Sequence, residues 1–294
     1  MEFGSEISPP FRLHQPAEQR VPYVFNSPHS GRRYPDSLLT ASGLTAMEIR
    51  RSEDVLVDQL FASVVGLGAP LLAAEFPRAW LDVNREPYEL DPKLFSESLP
   101  AHANSRSMRV AGGLGTIPRL VAENLQIYKQ RPSLAEAMSR IENVYRPYHE
   151  TLRGLMAKSS VNFGYAVLVD CHSMPSSGAR NEGKSRPDII VGDRYGTSCD
   201  GDISRAIMRQ FADLGYSVTR NKPYAGGFIT EHYGRPLKGL HAVQIEINRG
   251  LYVDEKTLEP NAGFARLTRD INAVMSRVVS LPDAGFYGQS IAAE

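Results

Sequence analysis

The sequence is poor in cysteine, and its charges leave no excess of either sign. Two cysteines in 294 residues are too few for a disulfide framework or for a four-cysteine metal site. Lysine plus arginine and aspartate plus glutamate each total 33, so the formal net charge is zero. A general nucleic-acid binder would carry a basic excess, and we therefore expect no nucleic-acid partner.

Long hydrophobic runs are also missing. No run of about 18 apolar residues occurs, so we expect no membrane-spanning helix. Residues 1–10 lack the basic stretch and apolar stretch of a secretory signal, and a cytoplasmic location is expected. The sequence does not indicate an oligomeric state.

Short apolar segments alternate with amphipathic ones over most of the chain. Strands are predicted at 21–25, 69–76, 79–83, 164–169, 188–191, 216–220 and 242–247. Helices are predicted from 42 or 45 to about 64, at 133–158 with a kink at Pro147, at 199–214, and from 257 or 261 to 279. This alternation indicates a single α/β domain, with an open, mostly parallel or mixed sheet and helices on both faces.

Two other segments differ from this pattern. Residues 86–116 are turn-rich, and a long irregular segment inside an enzyme is typical of a functional loop. Residues 1–20 are polar and are expected to form an N-terminal extension along the surface, with the domain itself at 21–280.

Two histidines occur where predicted strands end, His29 and His172. Ligand sites in α/β folds gather beyond the carboxyl ends of the strands. A catalytic zinc ion takes two or three imidazole or carboxylate ligands and keeps a position for water. We hypothesise that both histidines bind one zinc ion; alternatively, each bonds only to nearby backbone. Three other histidines are expected at the surface, namely His14, His102 and His149.

The acidic candidates for this site are Glu53 and Asp54. Adjacent residues on a helix point about 100° apart, so only one of them is expected to face a metal. The alternative is a solvated acidic first turn, which the helix dipole favours.

Residues 241–248 combine an apolar and a polar face. Strand alternation puts Val243, Ile245 and Ile247 on one face and Gln244, Glu246 and Asn248 on the other. A partly desolvated glutamate has a raised pKa, which suits a general base in hydrolysis. A plain amphipathic strand with a wet face is the alternative.

Arginines are the natural partners of a substrate carboxylate, because they form paired hydrogen bonds with it. The candidates are Arg78, Arg85, Arg180 and Arg235, although a single arginine is more often part of a surface ion pair.

Six segments resemble the N-formylglutamate amidohydrolase family, in the family's order, across about residues 21 to 280. They are 27–31 (SPHSG), 75–85 (EFPRAWLDVNR), 170–173 (DCHS), 188–200 (DIIVGDRYGTSCD), 226–236 (GGFITEHYGRP) and 241–252 (HAVQIEINRGLY). The resemblance implies an α/β fold like that of the zinc carboxypeptidases, of the phosphorylase/hydrolase-like type. It also implies one zinc ion and the hydrolysis of N-formyl-L-glutamate to formate and L-glutamate, a step of histidine degradation.

The resemblance also implies roles for individual residues. His29 and His172 become zinc ligands, and Glu246 becomes the general base. Substrate contacts are implied for Arg85, His232 and Arg235, and an orienting role for Asp170.

One segment departs from the family. Where the family has Asp-Thr-Asp-Trp, this chain reads Ser52-Glu53-Asp54-Val55. The last acid is retained, which makes Asp54 the third ligand and leaves Glu53 as the alternative. A zinc deacylase or amidase for another N-acyl amino acid or peptide, and a binding homologue without catalysis, remain the alternative functions.

Overall fold

A computed structural model of the chain describes residues 6–122, 124–176 and 186–281. The strands in these residues are β1 (Phe11–His14), β2 (Tyr23–Ser27), β3 (Leu71–Ala74), β4 (Leu120–Ala122), β5 (Leu125–Gln126), β6 (Ala166–Met174), β7 (Ile189–Gly192), β8 (Val218–Arg220), β9 (Leu240–Asn248), β10 (Val253–Asp254) and β11 (Glu259–Pro260). The α-helices are α1 (Asp36–Ala41), α2 (Ala46–Ile49), α3 (Val57–Leu60), α4 (Met108–Ala111), α5 (Leu134–Arg140), α6 (Arg146–Phe163), α7 (Gly201–Asp213), α8 (Phe228–Tyr233) and α9 (Phe264–Val278).

The main sheet has seven strands in the order β1-β3-β2-β6-β9-β7-β8. β6 runs parallel to both β2 and β9, and β7 runs parallel to β8. The pairing of β7 with β9 is antiparallel. The α/β class with a mixed sheet is therefore confirmed.

The described chain divides into two compact units. The first comprises residues 6–12, 28–54 and 73–151 without the undescribed residue 123, and the second comprises 13–27, 55–72, 152–176 and 186–281. The first unit holds the turn-rich segment and the helices α1, α2, α4 and α5. The second holds β2, β6, β7, β8 and β9 together with α3, α7, α8 and α9.

The core of the second unit follows from strand alternation. Val167, Val169 and Cys171 of β6 lie on one face of the sheet and are fully buried. The apolar sides of α3, α7 and α9 pack against this face, and in α7 the apolar residues recur at helical spacing as Ile203 and Ile207. Helix α8 contacts β6 and β9, and the backbone amide just before it bonds to a side chain on the opposite face. The opposite face is polar, and it carries Asn26, Asp170, His172, Gln244, Glu246 and Asn248.

Within the first unit, residues 134–151 belong to a long helical segment that runs from 134 to 163. A π turn at Ile141–Tyr145 joins α5 to α6, so the interruption comes just before the predicted kink at Pro147. The buried Arg140 lies over the ring of Trp80 at 4.9 Å and donates to the Trp80 carbonyl. The segment after Trp80 is therefore fixed against the helix.

Several predicted elements are wrong. The helix expected up to residue 64 is broken into α2, α3 and two 3-10 helices, with Glu53 extended and Leu56 left-handed at φ 58°. The apolar residues at 79–83 are buried in turns rather than in a strand. The central strand is longer than expected, so Asp170 and His172 lie inside β6 rather than after it.

The expected surface position of His149 is also wrong. Its ring is buried, and Nε2 bonds to the carbonyl of Val83 at 2.8 Å. His14 and His102 are exposed, as expected. Among the described helices, none has the length and hydropathy of a membrane span.

Candidate metal centre

His29 follows β2, and its imidazole is paired with a buried carboxylate. Nε2 lies 2.8 Å from Oδ1 of Asp82, and both side chains are almost fully buried. The same Oδ1 accepts a hydrogen bond from the backbone amide of Asn84 at 2.9 Å. Since an ionised carboxylate only accepts, Nε2 donates, and Nδ1 is the nitrogen that such a histidine offers to a metal.

Two arginines surround Asp82. Arg78 donates from Nε to Oδ2 at 3.0 Å, and Nη2 of Arg85 lies 3.4 Å from the same oxygen. Burial acts to raise the pKa of Asp82, but Arg85, Arg78 and His29 together hold it well below its usual range. Burial lowers the pKa of Arg85 to about 10, still well above neutrality. The group is therefore an ionised carboxylate between two charged guanidinium groups.

The backbone around Asp82 is fixed from several sides. Its amide donates to the carbonyl of Thr116 at 2.8 Å. His149 and Tyr145 bond to the carbonyls of Val83 and Arg85, at 2.8 and 2.6 Å. These contacts explain why a turn-rich segment can hold the partner of His29 in place.

The carboxylates of Glu53 and Asp54 have different partners, as expected if only one of the two residues binds a metal ion. The amide of Asp54 donates to the carbonyl of His29 at 2.9 Å, and its carboxylate lies 3.4 Å from Nδ1 of His29. Glu53 is instead held by Arg50 through two hydrogen bonds, at 2.9 and 3.1 Å, and by Tyr34. The extended backbone at Glu53 points the two carboxylates in different directions.

His172 has a partner of the same kind on its own strand. Nε2 lies 2.8 Å from Oδ2 of Asp170, two residues earlier and on the same face of β6. The other oxygen of Asp170, Oδ1, accepts a hydrogen bond from the side-chain nitrogen Nδ2 of Asn26 at 2.7 Å. This carboxylate is fully buried and holds the ring of His172 through that contact, and the orienting role that the family resemblance implies for Asp170 stays a prediction.

His29, Asp54 and His172 form a buried group that could hold a metal ion. One ligand atom of each lies within 4.8 Å of the others. Two ligand atoms bound to one zinc ion at about 2.1 Å are roughly 3.4 Å apart in tetrahedral geometry, and Nδ1 of His29 and Oδ2 of Asp54 have that separation, 3.4 Å. Two imidazoles backed by carboxylates and one further carboxylate are a donor set that suits zinc.

Glu246 lies beside His172. The two residues are register partners in the parallel pairing of β6 with β9, and their side chains point to the same polar face. Adjacent strands are about 4.8 Å apart, so the carboxylate is within reach of a molecule bound at His172. Glu246 is buried, and its Oε1 accepts from Gln244 at 2.8 Å.

The remaining predicted substrate residues have other neighbours. On α8, His232 stacks on Phe228 at 5.0 Å, and partial desolvation together with Arg235 and Arg153 lowers the pKa of its ring. Arg235 donates to the carbonyls of Glu231 and Gly234. Arg180 lies outside the described residues.

Sequence reasoning missed two residues, Asp82 and Gln244. Asp82 stands between the buried Leu81 and Val83, and an isolated acid in an apolar run was the available signal. Gln244 was placed correctly on the polar face, but no signal indicated its bond to Glu246.

A sequence model of the N-formylglutamate amidohydrolase family matches residues 21–253. An N-formylglutamate deformylase of Pseudomonas putida is 33% identical over 242 residues, or 80% of this chain and 83% of the relative. Another of Pseudomonas aeruginosa is 30% identical over 263 residues, with 88% and 92% covered.

Solved structures agree with this result. The crystal structure of N-formylglutamate amidohydrolase from Ralstonia eutropha JMP134 matches with a TM-score of 0.85 at 34% identity, over 92% of this chain and 97% of that one. The gene product Atu2144 from Agrobacterium tumefaciens shares the fold, with a TM-score of 0.63 at 20% identity and 91% and 95% covered. The chain therefore belongs to the N-formylglutamate amidohydrolase family.

Proposed function

We propose that this protein is a zinc-dependent hydrolase that cleaves N-formyl-L-glutamate to formate and L-glutamate, a step of histidine degradation. The observation that carries the proposal is the buried group of His29, Asp54 and His172, with Glu246 in register beside His172. Two N-formylglutamate deformylases at 30–33% identity support the choice of substrate.

His29, Asp54 and His172 would hold the zinc ion. When bound there, zinc would polarise the formyl carbonyl and lower the pKa of a water molecule toward about 7. Each histidine has its Nε2 engaged by a carboxylate, which fixes the tautomer and the ring orientation that ligation needs.

Glu246 is proposed as the general base. It would take a proton from the attacking water and deliver it to the nitrogen that leaves as the amine of glutamate. General bases contribute about 10²- to 10⁴-fold when they are positioned within hydrogen-bond reach. Burial of Glu246 on the face of His172 supports this assignment.

The substrate carboxylates are proposed to bind cationic side chains. Arg85 is the strongest candidate, because its Nε and Nη1 donate to the carbonyls of Leu114 and Asn84, which fixes the guanidinium in advance. His232 on α8 and Arg235, two residues after its end, are assigned the same task. The partner is accordingly a small N-acyl amino acid.

Location and domain limits are further parts of the proposal. Two buried, unpaired cysteines suit a reducing cytoplasm. Residues 21–280 are proposed as the catalytic domain, preceded by the extension 1–20, of which residues 11–14 form strand β1 of the main sheet.

The test combines metal analysis with an assay of formate release. Purified protein is expected to hold one zinc ion per chain and to release formate from N-formyl-L-glutamate faster than acetate or succinate from N-acetyl- and N-succinyl-glutamate. Full activity in a metal-free preparation would refute the mechanism. A preference for another acyl group would refute the substrate but leave the metal site intact.

A further inference from the structure

We infer that Gln244 is a positioning residue for Glu246, linking the proposed general base to the backbone that begins α8. The inference rests on the proposed function, since it concerns the same carboxylate. The link consists of two consecutive hydrogen bonds. The amide of Gly227 donates to Oε1 of Gln244 at 2.9 Å, and Nε2 of Gln244 donates to Oε1 of Glu246 at 2.8 Å.

The orientation of the Gln244 amide is fixed by chemistry. A backbone N–H only donates, so the atom of Gln244 that faces Gly227 is its oxygen. The nitrogen is then the atom that faces Glu246, where it meets an acceptor. The glutamine therefore offers a donor, and not an acceptor, to the carboxylate.

The fold brings these groups together through two close approaches of the backbone. Gly192, the register partner of Gln244 on β7, lies where a Cβ would be 2.8 Å from the backbone of Ala225. Gly226 has φ +125°, and a Cβ there would be 2.4 Å from Oγ1 of Thr230. Glycine at both positions lets the loop before α8 reach the sheet, and it places the Gly227 amide at Gln244.

The link has a direct consequence for Glu246. Gln244 and Glu246 are two residues apart on one strand, so both face the polar side of the sheet. A donor on Oε1 fixes the rotation of the carboxylate, and with it the direction of the oxygen that is to accept the proton. Because small misplacements of catalytic groups cost up to about 10²-fold in rate, loss of the donor should reduce turnover rather than binding.

The test is Gln244→Glu in the zinc-loaded enzyme. A glutamate at this position still accepts from the Gly227 amide, but it also places a second carboxylate beside Glu246, so this variant combines loss of the donor with charge repulsion. Gln244→Met is uncharged and similar in size, and it removes the donor without adding a charge. We expect kcat for formate release to fall about 10- to 100-fold in Gln244→Met and at least as far in Gln244→Glu, with KM within threefold and zinc content unchanged in both.

The control is Gln210→Glu on α7. This glutamine only accepts, from Arg277 at 3.0 Å, so the same chemical change should leave kcat unaltered. The inference is overturned if Gln244→Met retains wild-type kcat, or if either variant loses activity in proportion to lost zinc. Formate release by the wild-type protein distinguishes failure of the proposed function from failure of this inference. If the wild type releases no formate, the proposed function fails. If the wild type is active and Gln244→Met is equally active, only the role of Gln244 is refuted.

Discussion

The two histidines of the candidate metal centre are supported in different ways. The His29 arm, defined as His29, Asp82, Arg78 and Arg85, surrounds its carboxylate with two guanidinium groups. In the His172 arm, defined as His172, Asp170 and Asn26, the side-chain amide of Asn26 donates a hydrogen bond to the carboxylate. The inner arrangement is the same in both arms, with Nε2 at 2.8 Å from an aspartate oxygen.

The two arms differ in the groups that the structure describes around their aspartates. In the His29 arm the arginines neutralise Asp82, and they also supply cationic groups next to a proposed ligand. In the His172 arm, Asp170 contacts the imidazole and the side-chain amide of Asn26, and Glu246 lies on the adjacent strand. We infer that the first arm combines metal binding with substrate carboxylate binding, whereas the second combines metal binding with base catalysis.

Replacement of either histidine should have the largest effect, and an equal one. His29→Ala and His172→Ala each remove one of three ligands, so zinc content should fall to near zero and kcat/KM by more than about 10³-fold. Metal analysis and formate release measure this. His14→Ala, at an exposed position of β1, is the control. Strong activity in one variant alone would show that the arms do not hold the same ion.

Glu246→Gln should separate catalysis from metal binding. Without the base, kcat should fall about 10²- to 10⁴-fold while zinc content stays at the wild-type level. Glu259→Gln makes the same change at an exposed position and should be neutral. An unaltered rate in Glu246→Gln would rule out Glu246 as the base.

Replacement of Asp82 should lower the stability of the protein as well as its affinity for zinc. Asp82→Asn and Asp170→Asn should each weaken zinc binding about 10- to 100-fold, because each removes the anionic partner of a ligand. Asp82→Asn should also lower the free energy of unfolding by about 3 kcal/mol, since it leaves Arg78 and Arg85 without their anion. Urea unfolding with a chelator present measures this cost, and an unchanged free energy of unfolding in Asp82→Asn would contradict the role of the two arginines.

The smallest expected effect is a pH dependence of the stability that Asp82 contributes in the His29 arm. The pKa of Asp82 lies well below its ordinary value in the folded chain, so its contribution to stability is fully present above the unfolded pKa of about 3.9. That contribution is lost as the pH falls through the pKa that Asp82 has in the folded chain. The difference in unfolding free energy between wild type and Asp82→Asn, with chelator present, should stay constant above about pH 5 and shrink below about pH 4. If this difference in unfolding free energy grew as the pH fell, the prediction would be contradicted.

The strands were predictable where burial alone decides the pattern. The alternation of Val243, Ile245 and Ile247 with polar residues placed Glu246 on the correct face without any knowledge of its neighbours. The two strand-end histidines were predicted to share an ion, and the structure brings their ligand atoms into one buried group. Local patterns sufficed to single out these residues, and the binding of an ion by the two histidines stays a prediction.

Long-range contacts account for the errors. The apolar residues between 49 and 64 recur at helical spacing, yet the backbone breaks where Asp54 bonds to the carbonyl of His29, 25 residues earlier in the chain. His149 is buried because its ring bonds to Val83, 66 residues away in the chain. Asp82 gains its role from His29, which is 53 residues away. Sequence spacing carries no information on contacts of this kind.

Anomalous X-ray diffraction at the zinc edge, from crystals of the active enzyme, tests the metal centre most directly. We expect one peak, within about 2.3 Å of a nitrogen from each of His29 and His172 and of a carboxylate oxygen of Asp54. An active enzyme with no peak, or with its peak bound by other residues, would contradict the assignment of the site.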